Sequence, residues 1–252
     1  MADDGFRVGN VLNRAGAVFS QIWVPCSLIY VVQSLPMVLL GLASKQHGLS
    51  TGVAASHQTI HRAPTSIALL IVVGELMFLL FSVFGWGVVA KASMSVADGR
   101  GPKMGAATSA ALARFLPLLG TWICAYFMIM LASLLFVVPG IIVALSYFVI
   151  TPVCVLEGLG PVASLRRSAA LTKGLRWRIF GLGMLFGVLY LVVAVLPYGA
   201  RLAGGAYAGA AVELVSTALS GVFSTAICVV AYQDMLAVKE GVGGGRIASV
   251  FD

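Results

Sequence analysis

Long apolar runs alternate with short polar segments along most of this chain. The runs lie at about 22–43, 65–90, 116–138, 141–156, 179–196 and 209–238. Most approach the roughly 20 residues that a helix needs to cross a bilayer, so the pattern predicts six transmembrane helices. A stretch with helical spacing precedes the first, third and fifth runs. In 6–20, Val8, Val11, Leu12, Ala15, Val18 and Phe19 share one face, and Arg7, Asn10, Asn13 and Arg14 take the other. A weaker pattern runs through Met104, Ala107, Ala111 and Phe115 in 102–114. The third, 161–173, opens on Gly160-Pro161 and closes at Gly174, start and stop signals for a short helix. These stretches predict interfacial helices with a face for the membrane surface.

The order "surface helix, span, span" recurs three times. Pro36, Pro139 and Pro197 lie near the outer end of the first span of each unit, and Pro139-Gly140 predicts a tight reversal. Repeats that begin each time on one side would be parallel, about an axis along the membrane normal. The predicted fold class is therefore an all-α integral membrane bundle of six spans, with short cytoplasmic interfacial helices and three parallel repeats. Residues 1–240 form one membrane domain, and 241–252 read as a flexible tail.

Composition reinforces the class. Of 252 residues, 60% are hydrophobic and 10% charged, against about 25% charged in soluble domains. The formal net charge of +7 is spread through short loops instead of one patch, which excludes nucleic acid as the natural partner and favours anionic lipid headgroups. One side of the predicted alternation collects Arg7, Arg14, Lys91, Arg100, Lys103, Arg114, the basic residues of 166–178, Lys239 and Arg246. The other has Lys45, Arg62 and Arg201. The positive-inside rule then puts both termini in the cytoplasm. No signal-peptide pattern is evident, since the first apolar run is too long for one. Cys26, Cys124, Cys154 and Cys228 fall in apolar segments without metal spacing and read as packing residues.

The most basic segment, 157–178, supplies Arg166, Arg167, Lys173, Arg176, Trp177 and Arg178 as candidate lipid contacts. Val162, Leu165 and Ala169 would be its apolar side. Glu157 is expected to pair with Arg166, Arg167 or Arg176, fixing the segment in place. The run from Val138 to Leu182 also resembles bacterial multispan proteins described as YciC-like, or as the membrane domain that accompanies some glycerophosphoryl diester phosphodiesterases. The likeness rests on Pro139-Gly140, Glu157-Gly158, Arg167-Ser168, Leu171-Thr172, Lys173-Gly174 and Trp177, with Tyr232 and Asp234 near the end of the last span. The resemblance implies a fold and a place in the bacterial inner (plasma) membrane more than an activity. A phosphodiesterase barrel would need many more polar residues than this chain holds.

Few polar residues enter the predicted spans. Glu75 is the sharpest: a carboxylate in hydrocarbon is a functional candidate by default, and a neutral Glu75 hydrogen-bonded to a neighbouring helix is expected. Glu213 begins a stripe through Ser216, Ser220, Ser224 and Cys228, and Gly183 and Gly187 form a similar small-residue face. Both suit close helix packing, and they leave room for a second copy of the chain or a partner in a membrane complex. Gln33 could satisfy a carbonyl freed by proline. His57 and His61 have metal-ligand spacing, but His47 is the lone further candidate ligand nearby, so no metal or cofactor is expected. No catalytic constellation is present. Two readings follow: a non-enzymatic scaffold or accessory subunit associating with lipid or a membrane complex, and a small transporter or lipid-handling permease using Glu75.

Overall fold

The computed structural model of the chain describes residues 8–46 and 65–241. His47, His57, His61, Arg7, Arg62, Arg246 and the tail from 242 lie outside the described residues, as do the side chains of Pro36 and Lys45. Among the described residues all regular structure is helical. In chain order the helices are α1 (Val8–Gln46), α2 (Thr65–Ala97), α3 (Met104–Ala113), α4 (Phe115–Leu135), α5 (Val137–Ser146), α6 (Ile150–Leu156), α7 (Pro161–Thr172) and α8 (Arg176–Glu240). Five helical stretches are long and apolar enough to cross a membrane: Val8–Ser34, Val72–Ala97, Phe115–Leu135, Val137–Leu156 and Arg176–Glu240. Their flanks stay apolar and open, with Leu134 84% and Leu202 91% exposed. Such surfaces are at home against lipid tails rather than water.

The last stretch is not one straight rod. Gly205 has φ 79° and ψ −169°, a conformation essentially confined to glycine. Beyond it the chain doubles back, so that the rings of Phe186 and Phe223 lie 6.3 Å apart; on a straight helix they would be separated by about 55 Å. Arg201 and Glu213 form an ion pair across the reversal. Glu213, the start of the small-residue stripe, thus pins the two arms of α8 together. Pro197 lies buried inside the first arm and does not end it.

The second arm of α8 is the centre of the molecule. Val222, Ala226, Val230 and Met235 are buried in one cluster with Val11, Ala15, Val18 and Ile22 of α1 and with Val88, Val89, Ala92 and Val96 of α2. That cluster explains a departure from the sequence reading. The stretch 8–20 is not a separate surface helix: its apolar stripe continues at helical spacing into Ile22 and Cys26, with no breaker between, so a single helix α1 buries one continuous seam. The stretches 102–114 and 161–173 do form separate short helices, α3 and α7.

The reversal between α4 and α5 also falls elsewhere than expected. It is made at Phe136, whose backbone is extended, while Pro139 sits in the first turn of α5, where a missing N–H leaves no hydrogen bond unmade. Gly140 faces Ser133 of α4, and a Cβ there would collide with its side chain. The pair Pro139-Gly140 therefore lets two helices approach closely after the turn is complete.

Candidate functional site

The interruption between α5 and α6, at 147–149, lies within the apolar stretch Val137–Leu156. A break there leaves carbonyls without helical partners, which is tolerated in an apolar setting when other groups donate to them. Ser168 Oγ donates to the Ser146 carbonyl at 2.9 Å, and Thr172 Oγ1 donates to the same oxygen at 3.3 Å. Cys228 Sγ donates to the Phe148 carbonyl at 3.1 Å. The hydroxyl side of α7, with Ser164, Ser168 and Thr172 fully buried beside Leu165 and Leu171, is thus its inward face. Val162, grouped with Leu165 and Ala169 on one apolar side, is exposed, whereas Leu165 is buried.

A second polar assembly closes one end of the bundle, built on three consecutive buried residues of the last arm: Tyr232, Gln233 and Asp234. Each reaches a different neighbour. Tyr232 donates its hydroxyl to Glu157 Oε1 at 2.8 Å. Glu157 in turn accepts from Arg167 Nε, at 3.1 Å through Oε1 and 2.9 Å through Oε2, and Arg167 also pairs with Glu240. Gln233 donates to Asp98 Oδ1 at 3.2 Å and accepts from Arg14 Nη2 at 2.8 Å. Asp234 pairs with Arg14. Beside these, Arg114 Nη1 donates to the Gly158 carbonyl at 2.6 Å, fixing the turn that carries Glu157.

Successive residues of a helix point about 100° apart, so three in a row can address three sides at once. The last arm, surrounded by α1, α2 and the α6–α7 turn, has such a side to offer each of them. Burial opposes the charge on Arg167, but the hydrogen bonds and charges of Glu157 and Glu240 outweigh it and hold the guanidinium above its ordinary pKa. Asp98 is shifted upward by burial, which exceeds the opposing pull of Arg100 and Lys91.

The sequence-predicted residues divide accordingly. Glu157, Gly158, Arg167, Ser168, Tyr232 and Asp234 join these two assemblies, and Gly174 takes a positive φ of 87° just after α7. Arg166, Lys173 and Trp177 face outward, Arg176 is partly buried, and Arg178 is engaged in an interaction of its own. Glu75 departs from expectation: it is exposed and has no hydrogen bond or ion pair among the described residues. Gln33 donates instead to Ser82 at 2.6 Å, linking α1 to α2. Gly183 and Gly187 are exposed with no other atoms near the position of a Cβ, so neither packs against another helix among the described residues. Arg14, Asp98 and Gln233 were missed by sequence reasoning; a polar triplet inside the apolar stretch, Tyr232-Gln233-Asp234, was the available signal.

Helices of membrane-spanning length, open apolar flanks and a polar closure at one end define a membrane-embedded helical protein. The chain belongs to the family described as Domain of unknown function (DUF7847), whose sequence profile matches residues 8–235. That match takes in Arg14, Asp98, Glu157, Arg167 and the 232–234 triplet. No curated protein and no solved structure matches the chain.

Proposed function

We propose that this protein is a non-enzymatic, six-pass scaffold or accessory subunit of a bacterial plasma membrane, associating with lipid or with a membrane complex. Both termini lie on the cytoplasmic side in this reading, and the polar closure marks that side. The observation that carries it is the use made of the buried polar side chains: Tyr232, Gln233 and Asp234 are all spent tying α1, α2 and the α6–α7 turn together. This is an architecture for holding helices in a fixed arrangement. The reversal of α8 at Gly205 supports two passes for it in this reading, and the basic residues of α7 and its flanks agree with a cytoplasmic location. The permease reading has nothing comparable in its favour, because Glu75 sits on an open flank without a hydrogen bond or ion pair among the described residues.

Labelling of cysteines introduced one at a time into the full chain in sealed vesicles, read against the parent with its own four cysteines and combined with proton-flux measurements, tests the proposal. Lys103→Cys and Lys239→Cys are expected to label from one side and Arg201→Cys from the other. Parent and Glu75→Gln vesicles should be equally proton-tight. Labelling of residues 103 and 239 from opposite sides would overturn the topology, and a proton flux that disappears in Glu75→Gln would replace the scaffold with a transporter.

A further inference from the structure

We infer that the elbow between α7 and α8 is a headgroup site for anionic phospholipid, formed by Arg166, Lys173, Arg176 and Lys239 but not by Arg167. The inference deepens the proposed membrane role and rests on it. The adjacent arginines of α7 have opposite fates. Arg167 is drawn inward and pairs with two acids, Glu157 and Glu240. Arg166 lies on the exposed side of α7 with Val162, Ala163 and Ala170.

The elbow then gathers further positive charge. Lys173 caps α7, Gly174 turns the chain, and Arg176 opens α8. Lys239 returns from the far end of the last arm and places its Nζ about 4.0 Å from the position a Cβ would occupy on Gly174. None of Arg166, Lys173, Arg176 and Lys239 has an ion pair among the described residues, and the Nε of Arg176 is buried without a hydrogen-bond partner. The first turn of α8 carries no acidic residue, although the positive end of a helix dipole favours an anion and disfavours cations. Cations beside that helix end without an ion pair among the described residues, with Glu157 and Glu240 engaged by Arg167, suit an external anion.

Position identifies its source. Trp177 is 83% exposed at the foot of the first arm of α8 and packs edge-on against Phe180 at 5.8 Å, the arrangement of an indole at the boundary between tails and headgroups. An anion at this level is a lipid phosphate, reached by lysine and arginine while the apolar arm continues into the tails.

Native mass spectrometry of the full chain, released from detergent containing equal phosphatidylglycerol and phosphatidylcholine, tests the inference. The parent should retain phosphatidylglycerol preferentially. Arg166→Gln, Lys173→Gln and Arg176→Gln should each reduce that preference about fivefold, the effect of losing roughly one headgroup-facing charge, without altering phosphatidylcholine adducts. Arg166→Lys should retain the preference, and so should Arg167→Gln, although it lowers the melting temperature. Equal retention of the two lipids by the parent would overturn the site, as would an undiminished preference in folded glutamine variants. Loss of preference in Arg167→Gln alone would assign the headgroup to the wrong arginine and also overturn it. A protein adduct that the glutamine variants lose while the lipid preference persists would replace lipid with a protein partner. Failure of the membrane reading itself is distinguishable: the chain would then be released by salt, without detergent, and carry neither lipid.

Discussion

Replacing Tyr232 by phenylalanine removes one oxygen and leaves the ring in place. The hydroxyl is the donor that reaches Glu157 at 2.8 Å, and Tyr232 as a whole is only 3% exposed. A hydrogen bond to a charged acceptor contributes about 1.5–3 kcal/mol, and one between neutral groups about 1 kcal/mol. Glu157 is itself partly exposed and keeps both contacts from Arg167, so the lower part of the charged range applies, about 1.5–2 kcal/mol. Tyr30 supplies an internal comparison, since its hydroxyl donates to the neutral Gly221 carbonyl at 3.1 Å and lies 3.0 Å from Thr225 Oγ1. Tyr30→Phe should therefore cost about 1 kcal/mol. Equilibrium unfolding by dodecyl sulfate in maltoside micelles would measure both, with fluorescence from Trp86 and Trp122, whose rings lie 4.5 Å apart, as the signal. A Tyr232→Phe variant within about 0.5 kcal/mol of the parent, or one less damaging than Tyr30→Phe, would refute the idea that the charged clamp at the end of the last arm holds the bundle.

The break between α5 and α6 should depend on its two hydroxyl donors jointly. Ser168→Ala and Thr172→Val are each expected to destabilise by about 1 kcal/mol, and the double variant by more than their sum, because only then does the Ser146 carbonyl lose both side-chain partners; faster amide exchange at 147–150 would accompany it, and strict additivity would count against the shared acceptor. Asp98 makes a prediction with a sign. Its pKa is raised in the folded state, so folding binds protons there, and this residue's contribution is fully present below the unfolded value of about 3.9 and is lost as pH rises through the folded one. Asp98→Asn keeps an acceptor for Gln233 and should be at least as stable as the parent at neutral pH, with its advantage shrinking on acidification in melting experiments. An advantage that grows toward low pH would contradict the assignment.

Much of the architecture could be read from hydropathy because it concerns which segments avoid water. Pro161 and Gly174 bracket α7 as their backbone preferences dictate, and Glu157 finds Arg167 among the three partners proposed for it. What hydropathy could not reveal is which face of an apolar helix meets protein and which meets lipid. Both faces are greasy, so periodicity loses its meaning. Gly183 and Gly187 looked like a packing face and are open; 8–20 looked like a surface helix and is central. The interruption at 147–149 is followed by Pro152, which has no N–H to offer the Phe148 carbonyl, and the donors that serve the freed carbonyls, Ser168, Thr172 and Cys228, lie some twenty to eighty residues away in sequence. Glu75 attracted attention because charge is rare in such a chain, but its carboxylate is not where the structure gathers its polar contacts.

The clamp also imposes an order in time. A ribosome produces Arg14 first, then Asp98, Glu157 and Arg167, and reaches Tyr232 to Glu240 near the end. Until that last segment is released, each earlier residue waits in the growing chain without its partner from the final helix. Early helices can therefore enter the bilayer while the end of the bundle remains unsealed, and the final pass both completes the assembly and locks it. A nascent chain cut before Tyr232 would retain nearly all of its greasy length and still present unclaimed charges, a defect that membrane quality control could detect before any activity was tested.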